Sequence, residues 1–335
     1  MEWSWTEADS DQLVAWLKAR QLVPQDGRPV LKIIGEGHSN ITTLVELGDS
    51  RLILRHQPVI RANAPDVLRE ARHIAKLNKA GALAPHVLAM AEAGEALAVP
   101  LYVMEHVPGI VVSGDLPEPL RQDPRGMAHA MIDALADLHG IDAAQITSRP
   151  LDDPEANRTH FAMMRGLIAK LDGHEGEALR AMAQQLDDRV PDAARQCVVH
   201  SDFRLGNLMW APDLPPRLVT VLDWELSTTG DPRLDLGYFM IAYPAPGITR
   251  TPLQDLGRAL YQADFPPISE LLARYAGRTG RALADLHWFA AFVAWKTAVF
   301  YVLSRQRGED RYYDDDAHCR AFLGASADHL ARRDK

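Results

Sequence analysis

The hydrophobic period changes partway along the chain, and no other feature limits the possible folds as much. Between residues 31 and 55 apolar side chains alternate or run in short blocks, at 31–34, 41–47 and 51–55, separated by IGEGHSN and GDS. Such spacing is expected of three antiparallel strands joined by turns. Pro65 then opens a stretch in which Val67, Leu68, Ala71, Ile74 and Ala75 recur at helical spacing until Gly81 supplies a stop. AVPLYVMEHVPG reads as a further buried strand, over 101–105, running into a Pro108-Gly109 turn. Beyond that turn nearly every segment is helical in pattern: 127–139 closed by Gly140, then 162–171, 177–186 and the stretch from Pro267 onward. A single short β element interrupts them, 208–210 and 218–222 about the turn PDLPP. Ahead of the strands, Ser10 is the expected N-cap of an amphipathic helix carrying Leu13, Trp16 and Leu17.

Strands gathered at one end and helices at the other describe an α+β chain. Its 335 residues exceed the ~250–300 at which a single core stops growing, so two lobes are expected. The boundary falls at the turn after the last strand, giving 1–104, a connecting hinge at 105–109, and 110–335.

A composition of 47% apolar and 24% charged residues can bury a sizeable core, and no repeat is visible. The formal charge of −9 argues against a broad nucleic-acid surface, which needs basic side chains to displace phosphate counterions. The start, MEWSWTEADSD, lacks the basic and apolar regions of a secretory leader. The most apolar stretch, 288–303, is interrupted by Lys296 and falls short of the ~20 residues of a membrane span, so a buried helix and no membrane partner are expected. Two cysteines, Cys197 and Cys319, have neither disulfide-framework nor zinc spacing, which suits a reducing cytoplasm.

The chemistry-bearing residues sit at the ends of the isolated β element. In VVHSDFRLGNLMW, Asp202 follows His200 by two positions and Asn207 follows Asp202 by five; downstream, VLDWE ends a strand on Asp223. Phosphoryl transfer needs a carboxylate to orient an acceptor hydroxyl and take its proton, and hard oxygen donors to hold magnesium against nucleotide phosphates. Asp202 suits the first task, Asn207 and Asp223 the second. Arg204 stands two positions after Asp202, where protein kinases commonly carry a Lys that neutralises the transferring group. A lone HxD triplet is most often a turn or cap; here the full HxDxxxxN spacing is followed, a hairpin later, by a strand-terminal carboxylate.

In the N-terminal part, Gly35 and Gly37 lie between expected strands, where backbone amides can approach a triphosphate, with Ser39 and Asn40 as further donors. The segment lacks the Lys and following helix of a Walker loop. Arg55 ends a strand and Glu70 lies in the next helix, the places of the strand cation and helix carboxylate of kinases, with a planar guanidinium in place of Lys.

This ordered set of IGEGHSN, LILR, Glu70, YVMEHVPG, LADLHGID, VVHSDFRLGN and VLDWELSTTGDPRLDLGYF resembles the aminoglycoside phosphotransferase and choline kinase-like superfamily, over about residues 30–240. The wording is most similar to the kinase-like domain associated with acyl-CoA dehydrogenase 10 and 11 proteins, here expected as a free-standing chain. The resemblance implies a protein-kinase-like bilobal fold: a five-stranded antiparallel sheet with one helix binds nucleotide, and a mainly helical lobe carries the catalytic loop and acceptor site. It implies adenine at the hinge, on backbone groups of Glu105 and Val107 beside Met104, and Asp235 bracing the catalytic loop. Asp231 is more simply a turn or cap residue. Two departures stand out. Ser201 occupies a position where relatives often have Gly, and 141–196, which helps form the acceptor pocket, matches least.

The expected activity is magnesium-dependent transfer of the γ-phosphoryl of ATP or GTP to a metabolite hydroxyl, of a hydroxyacyl-CoA or hydroxy acid. The alternatives are an aminoglycoside acceptor, for which Asp314, Asp315 and Asp316 offer carboxylates, and a nucleotide-binding regulatory module without turnover. A CoA-type acceptor would call on cations such as Arg149, Arg158, Arg165 and Arg311.

Overall fold

The computed structural model describes residues 4–36, 40–57, 66–112, 114–308, 312 and 315–332. The chain divides into two compact units, Met1–Pro108 and Gly109–Lys335.

The first unit orders its elements as α1 (Glu7–Ala19), β1 (Val30–Glu36), β2 (Ile41–Leu47), β3 (Ser50–His56), α2 (Val67–Lys79), β4 (Val87–Ala91) and β5 (Leu101–Glu105). All five strands form one antiparallel sheet in the order β1-β2-β3-β5-β4. Leu47 pairs with Ser50, so a two-residue turn joins β2 to β3, and Gly48 supplies its positive φ of 59°. The register sorts side chains by face. Leu52, Leu54, Leu101 and Val103 join Val45 in a core closed by Leu13, Trp16 and Leu17 of α1, each worth roughly 1.5–3 kcal/mol of burial. Arg55, paired with Tyr102, turns the other way, where it meets Glu70 of α2.

Two helix starts differ from the sequence expectation. Thr6, not Ser10, caps α1: its hydroxyl accepts the Asp9 N–H at 3.1 Å, and Ser10 lies a turn inside, bonded to the Thr6 carbonyl. Asp66 caps α2, accepting the N–H groups of Leu68 and Arg69; Pro65 lies outside the described residues. The helix ends at Lys79, with Gly81 at φ 90° just beyond. Strand β4 had no periodic signal, because only its last residue, Ala91, is buried.

The second unit runs β6 (Ile110–Val111), α3 (Glu118–Arg121), α4 (Pro124–Gly140), α5 (Ala156–Ile168), α6 (Gly173–Asp187), β7 (Cys197–Val199), β8 (Leu208–Trp210), β9 (Leu218–Val221), β10 (Thr228–Gly230), α7 (Arg233–Ala242), α8 (Pro252–Leu256), α9 (Ile268–Thr279), α10 (Leu286–Gln306) and α11 (Asp316–Ala331). Strands β8 and β9 pair as the expected hairpin, with β6 added at its edge, while β7 pairs separately with β10. Strands of two or three residues leave too short a pattern to read, which is why β6, β7 and β10 escaped the sequence. Helix α5 begins six residues before the expected 162, because its buried stripe is Asn157, Phe161, Met164 and Ile168.

Helix α10 is the centre of this unit. It is 21 residues long, so length alone does not exclude a membrane span as the interruption at Lys296 had suggested. Its burial identifies a core helix: Phe289, Ala290, Ala291, Ala294, Trp295, Ala298 and Val299 have no exposed surface. The Trp288 and Trp295 indoles donate to Leu186 O and Leu179 O of α6, at 3.1 and 2.9 Å, and Phe161 of α5 packs its ring against both. Helix α7 approaches the same helix closely at Gly237, where a Cβ would lie 2.7 Å from the Phe289 carbonyl carbon.

Candidate active site

Strand β7 delivers the chain into His200, Ser201 and Asp202. One buried carboxylate shapes that loop: Asp235, in the first turn of α7, accepts the N–H of His200 on one oxygen and of Ser201 on the other, each at 2.7 Å. His139 Nε2 of α4 lies 3.1 Å from the same carboxylate, and its Nδ1 lies 2.6 Å from the Tyr275 hydroxyl of α9. An imidazole with its proton on Nε2 satisfies both contacts, donating to Asp235 and accepting from Tyr275. Burial opposes charge on Asp235, but the His139 hydrogen bond, the nearby histidines and the backbone donor outweigh it and hold the carboxyl below its ordinary value. The His200 ring packs 4.7 Å from the Trp224 ring, with Nε2 3.0 Å from Leu222 O, while its Nδ1 accepts the Asp202 N–H.

The Asp202 carboxylate is held on both oxygens. Asn207 donates its amide N–H to Oδ2 at 2.8 Å and to the Asp202 carbonyl at 2.9 Å. Arg204 Nε donates to Oδ1 at 3.2 Å, and the Tyr238 hydroxyl donates to that same Oδ1. Burial works against the Arg204 charge, but Asp202, Tyr238 and Asp223 together raise its pKa above the ordinary value.

Asn207 and Asp223 come together through the β8–β9 ladder. Leu208 pairs with Val221, and Leu222 N–H donates to Asn207 O at 2.8 Å, so Asp223 lies one residue from the chain contact to Asn207. Asp223 takes a left-handed backbone, φ 65°, where the strand turns away. Because the Asn207 NH2 group is engaged with Asp202, its carbonyl oxygen is the atom left for a cation. An amide oxygen and a carboxylate are the hard donors that magnesium prefers, so this pair fits a magnesium ion whose other ligands are phosphates and water. Among the described residues no cluster of three or more His, Cys, Asp or Glu side chains could hold a metal by itself.

In the first unit, Arg55 Nε lies 3.5 Å from Glu70 Oε2, an ion pair with 15% and 5% of the side chains exposed. Gly35 pairs with Thr42 where the β1–β2 register shifts; Gly37 and Ser39 lie outside the described residues. Asn40 is buried, and neither amide atom has a hydrogen-bond partner among the described residues. Met104 is buried on β5. Glu105 donates its N–H to His86 O at 3.0 Å and accepts the His86 N–H on its side chain at 2.9 Å. Val107 is half-buried in the segment without regular structure that follows.

Several polar residues turn out differently from their sequence reading. Asp231 is more than a cap: it is buried, binds Arg233 through both oxygens at 3.0 and 2.7 Å, and accepts Asn157 and Ala194 N–H groups. Arg158 and Arg165 do not converge but pair with Glu155, Asp192 and Asp187. Asp315 caps α11 and Asp316 pairs with Arg320; Asp314 and Arg311 lie outside the described residues. The sequence reading missed Tyr238 and His139. Tyr238 lies three residues after Asp235, one helical step along the same face, which a reading of the α7 pattern could have found. Lys296 has no hydrogen-bond or ion-pair partner among the described residues, and burial lowers its pKa against the opposing pull of Asp235.

Comparison with known proteins identifies the family and the fold. Residues 30–292 match the phosphotransferase enzyme family. Mouse acyl-CoA dehydrogenase family member 10 is 33% identical over 249 residues, 70% of this chain and 22% of that protein. The chain spans about a fifth to two fifths of the length of the curated relatives it matches, from 22% to 39%. A crystal structure of a putative aminoglycoside phosphotransferase from Ralstonia eutropha JMP134 superposes with a TM-score of 0.73 at 24% identity, covering 97% of this chain and 99% of that one. A thermostable aminoglycoside phosphotransferase mutant in ternary complex with ADP and hygromycin B gives 0.63 at 14% identity, covering 94% and 99%. At those identities the solved structures establish the fold, which is that of the kinase-like aminoglycoside phosphotransferases. With its family match running from the first strand of the sheet into α10, the chain belongs to the phosphotransferase enzyme family.

Proposed function

We propose that this phosphotransferase moves the γ-phosphoryl group of ATP or GTP to a hydroxyl of a small metabolite, with Asp202 as general base. The observation that carries the reading is the Asp202 carboxylate, oriented through both oxygens by Asn207, Arg204 and Tyr238. Asp202 orients the acceptor hydroxyl and takes its proton as the new O–P bond forms and the β,γ-bridging bond breaks, releasing the nucleoside diphosphate. Arg204 offsets negative charge on the transferring group. Asn207 Oδ1 and Asp223 would hold magnesium, which supplies charge neutralisation to the phosphates when bound.

Within the proposed nucleotide lobe, 1–104, Arg55 positioned by Glu70 contacts phosphate, and the segment from Gly35 through Gly37 and Ser39 to Asn40 covers it. The unsatisfied, buried Asn40 amide supports a ligand at that end of the sheet. Adenine sits beside Met104 at the hinge, 105–109, its amino group donating to the Glu105 carbonyl and a ring nitrogen accepting the Val107 N–H; the engagement of the Glu105 N–H with His86 supports that division. Residues 110–335 bind the acceptor.

For the acceptor we favour a hydroxyacyl-CoA or hydroxy acid. Similarity to the dehydrogenase family member supports it, as does Lys296, a half-buried ammonium on α10 with no hydrogen-bond or ion-pair partner among the described residues, suited to an acidic substrate. A polycationic aminoglycoside is the second reading, suggested by the structural neighbours. It is weakened by the engagement of Asp315 and Asp316 within α11. The test is diphosphate release from MgATP and MgGTP across hydroxy acids, their CoA thioesters and aminoglycosides, with EDTA controls. Turnover with a hydroxy acid or thioester supports the proposal. Nucleotide binding with no turnover on any acceptor would favour the regulatory module, and product formed without nucleotide would point to a hydrolase.

A further inference from the structure

Helix α7 touches the catalytic loop twice from one face. Asp235 holds the backbone N–H groups of His200 and Ser201, and Tyr238, three residues on, donates its hydroxyl to the Asp202 carboxylate. The helix is itself set against α10 at Gly237, whose hydrogen faces the Phe289 carbonyl carbon at a distance no side chain could occupy. Tyr238 is therefore presented from a fixed platform, with only 8% of its surface exposed.

Two donors meet on the same oxygen. Arg204 Nε and the Tyr238 hydroxyl both reach Asp202 Oδ1, whereas Oδ2 is held by Asn207. The kinase reading gives Arg204 a second duty, toward the transferring phosphoryl group, and a guanidinium that turns to phosphate releases Asp202. Building on that reading, we propose that Tyr238 is a positioning residue that keeps the Asp202 carboxylate aimed at the acceptor hydroxyl when Arg204 engages phosphate. Burial first, and then the neighbouring Asp202 charge, push the phenol pKa well up, so the hydroxyl remains a donor throughout. Its hydrogen bond leaves the remaining lone pairs of the carboxylate to take the acceptor proton, and no covalent change occurs at Tyr238.

The test is Tyr238→Phe in the full chain, which removes one oxygen and keeps the packed ring. We expect kcat with MgATP and an accepted hydroxy acid to fall about tenfold or more, with the KM for MgATP within twofold and the melting temperature close to wild type. A role confined to stability would lower the melting temperature and leave kcat per folded molecule intact, which overturns the proposal. So would a KM effect with unchanged kcat. A crystal structure of the variant with magnesium and a non-hydrolysable ATP analogue bound gives a readout independent of turnover: a rotated Asp202 carboxylate supports the proposal, and an unmoved one, or Arg204 still bonded to Asp202, contradicts it. If wild type consumes no nucleotide with any acceptor, the kinase reading fails by itself, and the Asp202 orientation in the variant still decides what Tyr238 does.

Discussion

The backbone N–H of Ser201 donates to Asp235 Oδ1 across 2.7 Å while Ser201 itself holds a left-handed backbone, φ 69°. That conformation costs a residue with a Cβ roughly 1–3 kcal/mol and persists only where surrounding contacts fix it. It also explains why glycine suits this position. Ser201→Gly should leave stability within about 1 kcal/mol of wild type, strain relief offsetting the added freedom of the unfolded chain. Ser201→Val should lose about 1–3 kcal/mol and reduce turnover, because a β-branched residue resists this backbone. Urea unfolding of both variants measures the difference.

Removing the other partner has a larger effect. Asp235→Ala leaves the His200 and Ser201 amides and the His139 ring without their acceptor in a fully buried place. We expect a loss of about 3–5 kcal/mol, the scale of breaking a buried charged network. Calorimetry should show the second unit melting earlier.

The approach of α7 to α10 gives a paired test on glycines. Gly237→Ala places a methyl group 2.7 Å from the Phe289 carbonyl carbon, so one helix must move, at about 1–3 kcal/mol. In α9, Gly277→Ala meets nothing within 4 Å and should be neutral or stabilising by up to about 1 kcal/mol. A lower melting temperature for Gly237→Ala, and an unchanged or higher one for Gly277→Ala, is the expected outcome.

Acid should destabilise the fold through buried histidines. Burial, reinforced by His287 and Arg332, lowers the His329 pKa from 6.5 to about 4; burial and Lys296 do the same at His160. Between those values the unfolded chain binds protons that the folded chain excludes, so stability falls as pH drops from about 6.5 toward 4. For the buried His329 the loss is on the order of 3 kcal/mol. His329→Gln should flatten the dependence of unfolding free energy on pH across that window.

The legible parts of this fold were those with enough residues to show a period. The seven-residue strand β2 and the 101–105 strand could be read to the residue, as could the arrangement of β8 and β9 as a hairpin. Strands β6, β7 and β10 have two or three residues each and are fixed by long-range pairing, which no local pattern records. Helix starts moved because caps are decided by side-chain geometry: Thr6 and Ser10 are both favoured cap residues in sequence. The grouping of Asp202 with Asn207, and the Arg55–Glu70 pair, followed from spacing, since local turns and neighbouring elements bring them together. Tyr238 and His139 were not legible as site residues. Their contacts depend on how α7 and α4 pack beside β7, which is a tertiary fact.

Asp202 is the residue on which the account turns. The most direct measurement is single-turnover phosphoryl transfer from radiolabelled MgATP to an accepted hydroxy acid, wild type against Asp202→Ala, with ATP affinity measured in parallel. The account predicts a rate at least a thousandfold lower, about 4 kcal/mol of barrier, with ATP affinity changed little. Transfer at the wild-type rate in Asp202→Ala would contradict it.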